Sequence, residues 1–129
     1  MRKNGFKESV KQIVLDDPRY DMEAYAFVRE SLDFTMKRLS KPNKGEERHI
    51  SGKELAEGIR DYALQEFGPI ALKVLNSWGV ERTEDFGEIV FNLVESGELG
   101  KRDEDSREDF NNLYDFEEVF KKPFLPKDS

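Results

Sequence analysis

Between residues 50 and 98, apolar positions recur every three or four residues in three successive stretches, with a turn signal at each joint. Ser51-Gly52-Lys53-Glu54 opens the first as a capping box, in which the serine oxygen takes the N–H of Glu54 and the glutamate reaches back to the N–H of Ser51. Leu55, Ile59, Tyr62, Ala63 and Phe67 then line one helical face. Gly58 interrupts that helix at a cost of about 1 kcal/mol relative to alanine, which fits close packing against a neighbour. Gly68-Pro69 ends the first helix and starts a second, with Pro in the first turn, where no N–H is needed. Ile70, Ala71, Val74, Leu75 and Trp78 form the second stripe, and Gly79 suits the left-handed position just past a helix end. Thr83 reads as the N-cap of a third helix, with Glu84 and Asp85 set against its dipole. Phe86, Ile89, Val90, Leu93 and Val94 complete it, and Ser96-Gly97 stops it.

Two helices are expected before this core. Phe6, Val10, Ile13 and Val14 mark the first, closed by Asp16-Asp17-Pro18. The second starts near Pro18 or Asp21, with Asp17 and Asp21 as candidate caps, and carries Tyr25, Val28, Leu32, Met36 and Leu39 on one face. Phe27 and Phe34 sit off that face, seven residues apart. Either this helix is buried on two sides, or part of its aromatic face meets a partner; burial within the fold is the plainer reading. Residues 40–49 are polar and read as a loop.

After Gly97 the pattern shifts. Residues 99–102 suit a short strand, 103–106 a polar turn, and Phe110, Asn112, Tyr114 and Phe116 alternate as a returning strand does. Helical spacing is the rival over 110–117. The expected fold is therefore mainly α with a small C-terminal β-hairpin: α+β, winged-helix-like central helices preceded by two N-terminal helices. The short joint 79–82 suits a helix-turn-helix, which makes 83–95 the recognition helix. One domain is expected over 1–122, with N-terminal helices in 1–39 and the core in 50–120. Residues 123–129, with Pro123 and Pro126, are expected as a disordered tail.

Composition narrows the classes. At 129 residues the chain suits one domain, and ten Phe, four Tyr and one Trp supply a bulky core. It has no Cys, which removes disulfides, thiolate metal sites and thiol nucleophiles. No apolar run approaches the roughly 20 residues of a membrane span, and Met1–Gly5 lacks a signal-peptide core, so a cytoplasmic setting is expected. Net charge is −7; from 81 to 118 fourteen carboxylates against four cations give −10, so the remainder sums to +3.

Catalytic and cofactor motifs are weak. There is no G-x-S-x-G, phosphate-binding loop or G-x-G-x-x-G. Asp103-x-Asp105 opens like a calcium loop, but Glu108 and Tyr114 occupy the turn and closing positions. His49 is alone and reads as a surface histidine, so no metal or cofactor is expected. Arg60 and Asp61, with Asp85 or Glu88 from the third helix, are candidates for a structural ion-pair network, and Asn92 for a cross-helix amide bond. Lys37, Arg38, Lys41, Lys44 and Arg48 form the one basic cluster and are the candidate contacts for nucleic acid or an acidic partner.

His49-Ile50-Ser51-Gly52 with Glu54-Leu55, Gly58-Ile59-Arg60-Asp61 with Ala63-Leu64, Phe67-Gly68-Pro69, Val74-Leu75 and Trp78-Gly79-Val80 carry a resemblance. It continues through Asp85-Phe86-Gly87, Ile89-Val90-Phe91-Asn92-Leu93-Val94-Glu95, Asp109-Phe110 and Tyr114-Asp115-Phe116. Over about 20–120 the chain resembles a family of small uncharacterised bacterial proteins of unknown function. The resemblance implies a single domain and a bacterial cytoplasmic setting, and it brings no activity and no catalytic residue.

A winged helix ordinarily binds DNA, but 83–95 carries Glu84, Asp85, Glu88 and Glu95 and no Lys or Arg. Such a face repels phosphate and offers only Asn92 to a base edge. The expected function is a non-enzymatic protein-interaction module with an acidic surface. The alternative is a nucleic-acid-binding adaptor or transcription-related protein that uses the basic segment 37–48. An enzyme ranks third.

Overall fold

The computed structural model describes residues 5–40, 50–100 and 106–126. Among them, five α-helices build the fold: α1 (Gly5–Asp16), α2 (Met22–Ser40), α3 (Gly52–Phe67), α4 (Ala71–Ser77) and α5 (Thr83–Glu95). A 3₁₀ turn, Gly68–Ile70, joins α3 to α4. The C-terminal segment adds a 3₁₀ turn at Arg107–Phe110, a π-helical turn at Glu117–Lys121 and a 3₁₀ turn at Lys122–Phe124. That last turn runs into the segment expected as a tail; residues 127–129 lie outside the described residues.

The local signals act as the sequence suggests. The Ser51 hydroxyl accepts the N–H of Glu54 and the Glu54 carboxylate accepts the N–H of Ser51, both at 3.1 Å. At the start of α2 the Asp21 carboxylate accepts the N–H of Glu23 at 2.9 Å. Gly79 is left-handed at φ +89°, and a Cβ there would collide with the carbonyl of Arg19. Only glycine therefore lets the corner after α4 close on the corner before α2, where the N–H of Asp21 donates to the carbonyl of Trp78 at 3.1 Å.

α2 packs along α3, and α5 lies against α1, α2, α3 and the 107–110 turn. Phe86, Ile89 and Leu93 of α5 are buried, each contributing about 1.5–3 kcal/mol. A second aromatic group, Phe86, Tyr114, Phe116 and Phe120, pins the C-terminal segment onto this core.

Two expectations are corrected. No described residue is in a strand, so the C-terminal hairpin of the α+β, winged-helix-like fold is absent among the described residues. Ser106 is a helix cap instead of a hairpin turn: its hydroxyl accepts the N–H of Glu108 at 3.2 Å, and its own N–H donates to Asp109 at 3.1 Å. Asn112 turns the chain with φ +46°, which breaks an extended run. Thr83 then does what a partner strand would have done. Its hydroxyl donates to the carbonyl of Phe110 at 2.6 Å and accepts the N–H of Leu113 at 3.1 Å. Thr83 is thus a buried clamp and not the N-cap. The would-be recognition helix buries Thr83, Phe86, Gly87, Ile89, Phe91 and Leu93. Residues 101–105, the rest of the expected hairpin, lie outside the described residues. No helix among the described residues is long and apolar enough to cross a membrane.

Candidate functional site

Phe27 and Phe34 are two turns apart on one face of α2. Tyr62 of α3 enters between them, its ring 5.2 Å from Phe27 and 5.1 Å from Phe34 between centroids. Phe67 and Trp78 continue the line at 5.4 and 5.5 Å from Phe27 and 5.9 Å from each other. Five rings thus form a ladder along the α2–α3 seam to the corner after α4. Phe27, at 5% exposure, is its buried root. Phe34, Tyr62, Phe67 and Trp78 are half-buried, so the ladder has an open side.

Carboxylates border that side. The hydroxyl of Tyr62 lies 3.5 Å from Glu30, and Glu66 follows Tyr62 by one helical turn. Both glutamates are exposed. Burial pushes the Tyr62 phenol up, and the negative fields of Glu30 and Glu66 add to it. At the far end the Arg38 guanidinium lies over the Phe34 ring at 5.1 Å.

The expected polar network is not one network. Asp61 sits between two guanidiniums, with Arg60 at 2.9 Å and Arg38 at 2.9 Å. Burial opposes its charge, but these two hydrogen bonds win and hold the carboxyl below its ordinary range. Neither Asp85 nor Glu88 joins this group. Asp85 caps α5 by accepting the N–H groups of Glu81 and Arg82 at 2.8 and 3.2 Å, and it accepts the Tyr20 hydroxyl at 2.6 Å. Glu88 pairs with Arg19 at 3.3 Å and Arg107 at 3.4 Å. Asn92 donates to Asp17 and to the Tyr25 hydroxyl, both at 3.0 Å, which ties α5 to α2 and to the corner before it. Asp17 also receives two bonds from Arg19, at 2.8 and 2.7 Å. These bonds, Arg19 first, hold its carboxyl well below the usual range against the effect of burial.

Of the basic cluster, Lys41, Lys44 and Arg48 lie outside the described residues, as does His49. Lys37 is exposed, while Arg38 is engaged by Asp61 and Phe34. The described residues form open clefts at either end of α5. One, of about 460 Å³, is lined by Ser9, Asp16, Asp17, Asn92 and Glu95. The other, of about 360 Å³, is lined by Asn76, Arg82, Glu84, Tyr114 and Glu117. Among the described residues, no group of three or more His, Cys, Asp or Glu is placed to hold a metal ion.

Phe27 and Phe34 stand out in the sequence, whereas their union with Tyr62, Phe67 and Trp78 does not. The available signal was the seven-residue spacing of two aromatics off the main apolar face. Comparison with protein-family models, with curated proteins and with solved structures finds no match.

Proposed function

We propose that this protein is a non-enzymatic protein-interaction module and that the open side of the aromatic ladder is its contact surface. The ladder carries the reading. Large flat rings bury much area on binding at little entropic cost, and aromatic residues dominate the centres of protein interfaces. Isolated exposed apolar residues such as Leu15 and Ile70 are ordinary surface features. Four adjoining half-buried rings over a buried fifth are not. The net charge of −7 favours a basic protein over a phosphate backbone.

The nucleic-acid alternative draws less support. Arg38 is already committed to Asp61, and α5 turns Asp85 and Glu88 toward partners within the fold. Affinity capture from native lysate, with nuclease-treated and untreated halves side by side, tests the reading. A protein captured equally in both halves, and lost when Phe34 and Tyr62 are changed to serine, is expected. Recovery that disappears with nuclease points to nucleic acid instead.

A further inference from the structure

We infer that residues 106–126 form a strap that leaves the helices as one unit, and that the slot it vacates between Gly52, Thr83 and Gly87 takes a phenylalanine-bearing segment of a partner protein in its place. This is a second surface, separate from the aromatic ladder. Three observations carry it.

The first is how the segment is held. Its backbone bonds close within itself: the N–H of Asp109 donates to the carbonyl of Ser106 and that of Asn111 to Glu108, both at 3.0 Å, and the N–H of Val119 to Asp115 at 3.1 Å. Ser106 caps the first turn together with Asp109. Among the described residues, the hydrogen bonds that join the segment to the helices run through side chains. Thr83 holds Phe110 and Leu113, Glu84 accepts the N–H of Asn112 at 3.0 Å, and the Tyr114 hydroxyl donates to the carbonyl of Ala56 at 2.6 Å. The rings also serve one another: Phe116 lies 5.1 Å from Phe120 and 6.2 Å from Tyr114, and Phe86 of α5 meets the group at 5.6 Å. A segment folded on itself and attached through side chains can open as a unit without breaking a helix.

The second is the shape of the slot. Phe110 is 3% exposed, and its ring lies between two glycines of different helices. A Cβ on Gly87 would come within 3.1 Å of the ring, and one on Gly52 within 3.3 Å of it and 2.8 Å of the Asp109 side chain. The absence of side chains at these positions of α3 and α5 leaves room for one aromatic ring.

The third is recognition of main chain. The buried Thr83 hydroxyl donates to the Phe110 carbonyl at 2.6 Å and accepts the Leu113 N–H at 3.1 Å. Main-chain hydrogen bonds beside one side-chain pocket are how peptide-binding domains hold a segment. Glu88 and Glu95 of α5 meet Arg107 at 3.4 and 4.0 Å. The occupant that fits therefore carries a phenylalanine with a cation three residues before it. The chain's own strap supplies that pattern in cis and so blocks the slot.

Native-state hydrogen exchange on the full chain tests release. The amides of Asn111, Leu113 and Val119 are expected to share one opening that precedes the opening of α2 and α3. Opening of all of them together with those helices overturns the strap. A labelled peptide of residues 106–126, titrated into the full chain by fluorescence anisotropy, tests the slot. Tyr114→Phe in the chain removes the bond to Ala56, outside the slot, and is expected to tighten the peptide about fivefold by raising the open fraction. The peptide with Phe110→Ala is expected to bind about tenfold more weakly, and the peptide with Arg107→Glu about threefold more weakly. Equal affinity of the two chains means that the strap does not compete, and overturns the proposal. Binding that ignores Phe110, or no saturable binding to either chain, also overturns it.

Discussion

Gly58 of α3 faces Thr35 of α2 so closely that a Cβ on Gly58 would land on the threonine hydroxyl. Thr35 is fully buried, and its hydroxyl donates to the carbonyl of Ser31 at 2.7 Å. This contact sets the α2–α3 spacing, and that spacing lets Tyr62 reach between Phe27 and Phe34. Gly58→Ala is therefore expected to destabilise the fold by about 1–3 kcal/mol, despite the better helix propensity of alanine. Urea unfolding reads it, and adding Thr35→Ala to Gly58→Ala is expected to recover part of the loss. A midpoint at or above wild type would show that the two helices have room to spare.

Asn92 bridges α5 to Asp17 and Tyr25, so Asn92→Ala is expected to cost about 1–3 kcal/mol by leaving partly buried groups unpaired. Thermal or urea unfolding checks it against Glu95→Ala, whose carboxylate is largely exposed and should be nearly neutral.

Asp17 gives the fold an acid dependence of known sign. Its carboxyl is held low in the folded chain, so its contribution is present above the unfolded value of about 4 and is lost as pH falls through the folded one. Asp17→Asn is expected to lower stability at pH 7 and to flatten its decline between about pH 5 and 2. Urea midpoints across that range test both parts; a variant that loses stability on acidification as steeply as wild type contradicts the assignment.

All four tyrosines are shifted upward, with burial the first cause for each. A phenol whose folded value is raised contributes stability below the unfolded value of about 10, and that contribution is lost as pH rises through the folded value. Tyrosinate absorbance is expected to lag a free-tyrosine titration and then to rise together with loss of helical circular dichroism. A titration centred at the free-tyrosine value in a still-helical protein would contradict this burial.

Thr83→Val removes the hydroxyl that holds both Phe110 and Leu113 and is expected to cost about 1–3 kcal/mol. Amide hydrogen exchange locates the effect: faster exchange at Leu113, with α2 and α3 less affected, is expected. Uniform acceleration across the chain would mean that Thr83 supports the whole core instead of the C-terminal segment.

Much of the helical framework was legible because helix signals are local. The Ser51–Glu54 box, Gly68-Pro69 and Gly79 each act within a few residues, and each ends or starts a helix as its chemistry requires. The C-terminal segment was not legible for the opposite reason. The alternation of Phe110, Tyr114 and Phe116 is real, but it feeds separate contacts on α3 and α5, set by Thr83, Ala56 and Phe86 far away in sequence. Period-two spacing does not reveal whether a partner strand exists. The ladder was half legible: Phe27 and Phe34 announced an aromatic line on α2, while Tyr62, Phe67 and Trp78 joined it only through helix packing. The supposed link of Asp61 to Asp85 failed because each carboxylate finds nearer donors: Arg60 and Arg38 for one, the α5 N-terminus and Tyr20 for the other.

Site-specific photocrosslinking in cells tests the interaction surface most directly. A benzophenone amino acid is placed at Phe34, at Tyr62 and, as a control, at the exposed Glu108. Crosslinks to the same protein from 34 and 62, with none from 108, are the result expected for a ladder that serves as a contact surface. Crosslinks from 108 alone, or none from 34 and 62 in protein that is folded, would contradict the ladder as a contact surface.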